Sequence, residues 1–558
     1  MRLAIRAALF AAALATGLLV AFLVLRGHDS PWLAAPWILS LFAFAAAADD
    51  RPRKDSRSPR RSAGVLLLLF AAALPVLVRV ANMDPARMHA DEFITGYFSA
   101  THDFAHSSFF GSMPEKWEWQ GQFPKIYFFV QRAFFTLFGA STLTLRLSVQ
   151  IYVAIVSVML FLIVREILDR DAAIVAVVLY SFLSVGLYLE TLGLFFIGGT
   201  AALTTFLYFA LREYRTGAMF YAAASGIACG FCYLMYYSSY IAFPLLLAFL
   251  AVHWLRVRRL LVVENLLLAL AGMLLVLAPF LAYGMRSGNP VFGRVGQVSL
   301  LTGEWSPYRE AIAKGKASPI SVVFDNLVLS LKSFFRDQVA GSGGFDFGRL
   351  AFFDRFSLAL LVAGLLAAVA LLPRKSEILL VLLGLGASVA TVALAIPPPT
   401  VHRFSITFPF LIILMTLPFA LLLRLRKLSR RARYALAGGF LLLFACANER
   451  RFVEAVVRDP AAQELRLSEL INQRFDGRNL YVAAFDAFDF QRIFYFRNKW
   501  PGRRVETTFH EHLLKRFNRK EKYVYVMILA DAFRERFQKA DPDGRFYHFS
   551  ISYSLSAN

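Results

Sequence analysis

The sequence predicts an all-α polytopic membrane protein of about 13 transmembrane helices, with a small α/β domain at its C-terminal end. Of the 558 residues, 58% are hydrophobic and only 18% are charged, which is far more apolar than a soluble chain of this size. Runs of about 18 or more nearly uncharged residues recur, and that length lets a helix cross a bilayer. After residue 448 charged residues return and alternating, strand-like runs begin.

The net charge of +22 would suggest a nucleic-acid partner in a soluble protein. Here most basic residues lie in short segments between apolar runs, which is the pattern of the positive-inside rule. We therefore predict the membrane as a partner, and no nucleic acid. The three cysteines lie inside apolar runs, so neither a disulfide nor a redox centre is predicted.

Residues 1–62 are predicted to form two N-terminal spans and a basic cytoplasmic loop. Arg2 and Arg6 precede an apolar run that ends at Leu25, and residues 31–48 return across the membrane. Because no small-x-small cleavage site follows the first run, we predict a retained span rather than a cleaved signal peptide. The loop that follows is predicted to be cytoplasmic because it is rich in basic residues, namely Arg51, Arg53, Lys54, Arg57, Arg60 and Arg61.

Residues 63–448 are predicted to form the main membrane domain. Ala63 to Ala81 crosses outward, and the alternation of later apolar runs puts nearly every basic cluster on one side, which gives about 13 spans. Two long outer loops, residues 82–125 and 286–349, interrupt this alternation. Ile126 to Phe138 is too short for a span and includes two polar residues, so it is predicted to be an interfacial helix.

Residues 449–558 are predicted to form an extracytoplasmic α/β domain. Asn479-Leu-Tyr-Val-Ala and Lys522-Tyr-Val-Tyr-Val-Met-Ile alternate as half-buried strands do, and helical patterns lie between them.

Charged residues at the outer membrane boundary are the candidates for function, because such groups cost free energy unless they meet a partner or water. Asp91 and Glu92 are adjacent carboxylates in the first outer loop, Glu190 marks an outer turn, and His402 and Arg403 follow a Pro-rich turn. Bland alternatives stay open. The acidic pair could be a solvated loop or a helix start, Glu190 could snorkel to the interface, and the His-Arg pair could anchor lipid head groups.

The Asp91-Glu92 pair resembles the catalytic motif of the GT-C membrane glycosyltransferases. The resemblance is closest to bacterial members of glycosyltransferase family 39, the protein mannosyltransferase and lipid A aminoarabinose transferase group. Tyr188-Leu-Glu190-Thr departs from the family pattern, and no Trp-Trp-Asp motif is present, which argues against an oligosaccharyltransferase. Other stretches agree in order: Gln122–Tyr127, Leu137–Leu147, Gly288–Arg294, Phe353–Arg355, His402–Phe404 and Phe490–Tyr495.

The resemblance implies transfer of one sugar, with inversion, from a polyprenyl-phosphate donor to a lipid, glycan or protein acceptor. The reaction would take place at the periplasmic face of the bacterial inner membrane. Asp91 would be the general base, with Glu92 orienting hydroxyl groups. Two carboxylates beside phosphate oxygens would also suit a divalent metal, but the family does not generally require one, so no cofactor is predicted. The residues expected to bind substrate are Lys125, Glu190, Arg294, His402 and Arg403.

Two other classes of function remain alternatives. A transporter or flippase for a lipid or lipid-linked sugar should show broken helices or paired charges at mid-membrane in both halves, and this chain gathers its polar residues at one face. A non-catalytic assembly component would tolerate changes to the acidic pair.

Overall fold

The computed structural model describes most of the membrane part of the chain and three strands beyond it. The described residues are 2–28, 30–49, 61–83, 89–112, 123–257, 261–288, 293–337, 345, 347–458, 479–483, 505–508, 523–527 and 539.

The first three helices contain mostly Ala, Leu and Val, as helices that face lipid do. Two of them pack around Trp37 and Phe44, which are buried, and the Trp37 indole N–H donates to the Leu275 carbonyl at 3.2 Å. The three helices are α1 (Arg2–Leu25), α2 (Ala34–Ala47) and α3 (Arg61–Ala81).

Nine helices follow between residues 90 and 287. They are α4 (Ala90–Thr101), α5 (Ile126–Phe138), α6 (Thr142–Ile167), α7 (Arg170–Phe182), α8 (Ser184–Glu190), α9 (Phe196–Thr216), α10 (Met219–Leu234), α11 (Ala242–Val257) and α12 (Leu261–Ser287). The bounds of α5 are those predicted for the interfacial helix.

Seven helices complete the described membrane part. They are α13 (Arg294–Val298), α14 (Arg309–Ala313), α15 (Pro319–Lys332), α16 (Arg355–Leu371), α17 (Glu377–Ala393), α18 (Phe408–Leu423) and α19 (Arg430–Arg458). Short 3₁₀ turns at Pro31–Leu33, Tyr237–Ile241, Phe347–Arg349 and Val401–Thr407 join some of them.

The chain is a multi-pass membrane protein. Six described helices are long and apolar enough to cross a bilayer, and a seventh span is formed if the bent pair α7 and α8 counts as one. Five shorter apolar helices accompany them. By this criterion of helix length and hydropathy, the described ranges contain fewer spans than the predicted count of about 13. The six spans are Ala4–Leu25, Gly64–Ala81, Thr142–Ile167, Tyr237–Leu255, Val263–Ser287 and Val401–Leu423.

The main core surrounds α18, which is buried along almost its whole length. A helix that is apolar on all sides belongs inside a bundle, and α7, α16, α17 and α19 are its main neighbours. α1 and α2 lie against α12 and α10 and form a second apolar cluster there. The two N-terminal helices are therefore bound to the rest of the bundle through their own core.

A bend of 60° separates α7 from α8. The backbone leaves the helical conformation at Leu183, so the N–H of Ser184 lacks its partner within the helix. Asn448 of α19 replaces that partner, because its Oδ1 accepts the Ser184 N–H at 3.0 Å. The bend redirects the chain along α8, whose last residue is Glu190.

Three short strands lie beyond α19. They are β1 (Asn479–Ala483), β2 (Val505–Thr508) and β3 (Tyr523–Met527), which form a parallel sheet in the order β2-β1-β3. β1 and β3 occur where the sequence predicts strands. Residues 449–458 of the predicted domain belong to α19. Apart from these, the three strands and residue 539, the predicted domain lies outside the described residues, and so does the motif Phe490–Tyr495. An α/β domain over 449–558 therefore stays a prediction.

The outer segments contain more helix than the sequence indicates. The predicted loop 82–125 contains α4, so Asp91 and Glu92 lie in the first turn of a helix. The predicted loop 286–349 contains α13, α14 and α15. These helices have 5 to 14 residues and mix aromatic with polar side chains, so a search for long apolar runs does not find them.

Candidate active site

The N-terminal turn of α4 fixes the position of the acidic pair. His89 is the N-cap, and its Nδ1 accepts the Asp91 backbone N–H at 3.0 Å. In return, the Glu92 carboxylate accepts the His89 backbone N–H at 3.0 Å. This reciprocal arrangement is a capping box. Because Nδ1 accepts a hydrogen bond, the neutral imidazole carries its proton on Nε2.

Glu92 is completely buried and surrounded by donors. The Arg146 guanidinium binds it with two parallel hydrogen bonds, Nε to Oε1 at 2.9 Å and Nη2 to Oε2 at 3.0 Å. The Gly193 N–H donates to Oε1 at 2.5 Å. Burial alone would raise the pKa of Glu92, but the Arg146 charge and these hydrogen bonds bring the pKa below its ordinary value. Glu92 therefore joins α4, α6 and the turn after α8.

Asp91 differs from its neighbour because it stays accessible. Its side chain is 19% exposed, and its nearest ion-pair partner among the described residues is His89 Nδ1, at 4.0 Å. Burial raises the pKa of the Asp91 carboxyl, and Glu92 adds to the rise, while the positive charge of Arg294 opposes it. Among the described residues no guanidinium lies within ion-pair distance of the Asp91 carboxylate, so this carboxylate can accept a proton.

Arg294 lies near Asp91 on α13. Its Nη1 donates to Gln297 Oε1 at 2.7 Å, and its guanidinium carbon lies 4.3 Å from the centroid of the Trp305 ring. Burial lowers the pKa of Arg294, and the positive charge of Arg403 adds to this effect while Asp91 opposes it. Arg294 thus lies close enough to both predicted site residues for their charges to act on it.

His402 and Arg403 belong to the 3₁₀ turn Val401–Thr407, and both are buried. The Arg403 Nη1 donates to the Ile396 carbonyl at 2.5 Å, and the His402 ring stacks on Phe196 with centroids 4.5 Å apart. Arg403 Nε and His402 Nδ1 are buried without a hydrogen-bond partner among the described residues. A buried polar atom without a hydrogen bond costs free energy, and an anionic or hydroxyl-bearing ligand would supply the missing hydrogen bonds.

Glu190 does not stand free at the outer turn. Arg79 of α3 donates to its Oε2 from Nε at 2.6 Å, and the Tyr180 hydroxyl donates to Oε1 at 3.1 Å. Arg79 Nη1 also donates to the Ser181 carbonyl at 2.9 Å. All three side chains are buried. The contacts of Glu190 thus bind α3 to the bend between α7 and α8.

Lys125 is buried at the start of α5, where its backbone N–H donates to the Gly111 carbonyl at 2.9 Å. Its ammonium group lies near His102, which follows the last residue of α4. Burial and the Lys125 charge together lower the pKa of His102 to about 4. Lys125 therefore lies beside the C-terminal end of the helix that carries Asp91 at its start.

The structure thus brings Asp91, Arg294 and Arg403 into one neighbourhood, while Glu92 and Glu190 are held in buried ion pairs. Sequence reasoning missed the arginine partners, Arg79 and Arg146. A signal was present, because each is an arginine near the outer end of an apolar span, where a buried charge requires a counter-ion.

Within the described ranges, no three His, Cys, Asp or Glu side chains converge on a point that could hold a metal ion. The cationic groups around Asp91 are instead suited to an anion.

Residues 123–283 match the family described as dolichyl-phosphate-mannose-protein mannosyltransferase. The family resemblance is confirmed. The matched segment includes Lys125 and Glu190 together with Arg146 and Gly193, whereas Asp91 and Glu92 precede it. A comparison with curated proteins found none that match.

Solved structures similar to this chain include two states of ArnT from Cupriavidus metallidurans. The one bound to undecaprenyl phosphate has a TM-score of 0.47 and 14% identity over 87% of this chain and 96% of that chain. The apo state has a TM-score of 0.46 and 14% identity over 85% and 94%. The oligosaccharyltransferase of Archaeoglobus fulgidus, in the apo form, is also similar, with a TM-score of 0.46 and 14% identity. The match covers 79% of this chain and 64% of that chain.

Proposed function

We propose that the protein is an integral membrane glycosyltransferase that moves one sugar from a polyprenyl-phosphate donor to an acceptor, with inversion. The observation that carries the proposal is the contrast within the acidic pair. Glu92 is neutralised by Arg146, while Asp91, one residue away, is partly exposed and lies where the positive charge of Arg294 acts on it. A solvated loop pair would show no such difference.

Asp91 acts as the general base in this proposal. The acceptor hydroxyl loses its proton to the Asp91 carboxylate as its oxygen attacks the anomeric carbon, and the sugar–phosphate bond breaks. A positioned base of this kind contributes about 10²–10⁴-fold to the rate. The raised pKa of Asp91 makes it a stronger proton acceptor than an exposed aspartate.

The leaving group is a lipid phosphate, so it needs fixed positive charge and donors. Arg294 and Arg403 supply the charge, and the unpartnered Arg403 Nε and His402 Nδ1 supply hydrogen-bonding atoms. We keep Lys125 as a proposed phosphate contact on the family resemblance, although it lies beside the C-terminal end of α4 and Asp91 lies at the N-terminal end.

Glu92 and Glu190 take positioning roles rather than substrate contacts in this proposal. The four hydrogen bonds to Glu92 leave little capacity for a sugar hydroxyl. The Arg79 and Tyr180 contacts use both oxygens of Glu190.

We further propose that the site faces the periplasm across a bacterial inner membrane. The acceptor would then be an envelope component such as lipid A of lipopolysaccharide, another glycan or a protein. Residues 63–448 would form the catalytic membrane domain, with 1–62 as an N-terminal addition and 449–558 as a periplasmic domain.

The direct test is the release of undecaprenyl phosphate from an undecaprenyl-phosphate sugar by the full-length protein in liposomes that contain envelope extract. We expect Asp91→Asn to lower turnover at least about 100-fold while leaving undecaprenyl phosphate binding unchanged. Asp103→Asn is the matched control, because Asp103 is an exposed aspartate just beyond α4. Full turnover by Asp91→Asn would disprove the assignment of the base.

A further inference from the structure

Phe345 occupies an unusual place between the two halves of the candidate site. It is 4% exposed. Its ring stacks on the His89 ring with centroids 3.8 Å apart and planes at 25°. On another side it contacts the His402 ring edge-to-face at 4.4 Å. One side chain therefore contacts both the N-cap of α4 and the turn that carries Arg403.

The backbone of Phe345 strengthens the second of these contacts. Its carbonyl accepts the Val401 N–H at 3.1 Å, and Val401 is the first residue of the 3₁₀ turn that continues with His402 and Arg403. The position of this turn is thus fixed relative to Phe345 by a hydrogen bond and by a ring contact together.

The first contact reaches Asp91 through one further residue. His89 holds the Asp91 N–H through Nδ1, and the orientation of the imidazole decides whether Nδ1 points at that N–H. A ring stacked at 3.8 Å restricts rotation of the imidazole plane. The first turn of α4 therefore depends on Phe345 for one of its two capping contacts.

The segment next to Phe345 is held in a strained conformation. Phe347 and Arg349 have φ values of 51° and 60°, and Gly348 between them has 61°. Residues with a side chain rarely adopt these values, which cost roughly 1–2 kcal/mol each. The Phe347 ring packs edge-to-face on Tyr188 of α8 at 5.3 Å, so this turn, which begins two residues after Phe345, is fixed by packing.

We propose that Phe345 is a positioning residue that sets the distance between the Asp91 carboxylate and the cations of the His402–Arg403 turn. This inference rests on the proposed function, since it concerns the geometry of the same reaction. Removal of the Phe345 ring would leave both the Asp91 carboxylate and the phosphate-binding groups in the protein, but the distance between them would no longer be fixed. An error of about 1 Å between reacting groups costs on the order of 100-fold in rate.

The test compares Phe345→Leu with Phe206→Leu in the full-length protein. Phe206 is a fully buried phenylalanine of α9 that contacts Phe249, and it lies ten residues, or about 15 Å, along the helix from Phe196. Both variants lose the same atoms from a buried position, so the midpoint temperature of thermal unfolding should fall by similar amounts. Only Phe345→Leu should lower kcat, by about 10–100-fold, and raise the Kd for undecaprenyl phosphate, and Phe345→Tyr should recover most of the kcat.

Three outcomes would overturn the inference: a kcat for Phe345→Leu within about twofold of wild type, equal losses of kcat in both leucine variants, or an unchanged Kd for undecaprenyl phosphate. Failure of the proposed function gives a different pattern. The wild-type protein would then turn over no undecaprenyl-phosphate sugar, or Asp91→Asn would be fully active, whatever happens at position 345.

Discussion

At the scale of single residues, two neighbouring carboxylates have opposite surroundings. Glu92 is buried in four hydrogen bonds, two of them from Arg146, while Asp91 remains partly exposed. The sequence predicts that this pair is important but cannot divide the roles, because the division depends on Arg146 and Gly193, which are 54 and 101 residues away from Glu92. The same holds for Glu190, whose partner Arg79 lies 111 residues earlier.

Removal of the negative charge of Glu92 should destabilise the fold. Glu92→Gln leaves the Arg146 guanidinium buried without a counter-ion, which costs about 3–5 kcal/mol. The double variant Glu92→Gln/Arg146→Met removes both charges and should regain a large part of this loss. Thermal unfolding in detergent measures the difference. If the single and double variants are equally stable, the Glu92–Arg146 ion pair does not stabilise the fold in the way inferred.

Acid should abolish turnover before it unfolds the protein. The pKa of Asp91 is raised above 3.8, so the base is protonated and lost as the pH falls through a value higher than that. The pKa of Glu92 is lowered below 4.5, so its contribution to stability is present above 4.5 and is lost only as the pH falls through the lower folded-state value. The pH profile of kcat/KM, measured beside thermal unfolding, should therefore show its acid limb first. An acid limb at or below pH 3.8 would contradict the environment described for Asp91.

At the scale of elements, hydropathy predicts where long apolar helices lie, but it does not predict where a helix bends or where a short polar helix forms. The bounds of α5 follow from its apolar residues, and β1 follows from its alternation. The bend at Leu183 contains no proline, so no local signal indicates it, and it is stabilised by Asn448 from a helix far along the chain. α4 is missed because its 12 residues mix polar, small and aromatic side chains.

The turn after α8 should tolerate no side chain at Gly193. A Cβ there would lie 2.5 Å from Leu145 Cγ and 3.2 Å from Glu92 Oε1. Gly193→Ala should cost about 1–3 kcal/mol through overpacking and should lower turnover, because it displaces the N–H that binds Glu92. Gly386→Ala in α17 is the control, since nothing lies within 4 Å of the added atom. A Gly193→Ala protein with wild-type stability and turnover would contradict the packing described for this turn.

At the scale of the whole molecule, composition predicts a multi-pass membrane protein, and the structure and the family match agree. The number of spans cannot be read from hydropathy alone, because helices such as α10, α16 and α17 have 16 or 17 residues, close to the minimum length that crosses a bilayer. The proposed chemistry depends on which side of the membrane the site faces. Sugar transfer with Asp91 as the base requires α4 to lie at the outer surface, away from the basic clusters that the positive-inside rule predicts to be cytoplasmic.

The most direct test of that requirement is the accessibility of position 106 in intact cells. His106 is 85% exposed just beyond α4, and Cys446 is the exposed native cysteine among the three. His106→Cys in a Cys446→Ser background should react with a membrane-impermeant maleimide added outside spheroplasts, while Cys446→Ser alone should not. Labelling that occurs only after the membrane is opened would place α4 and Asp91 in the cytosol, and the account of outward-facing sugar transfer would be wrong.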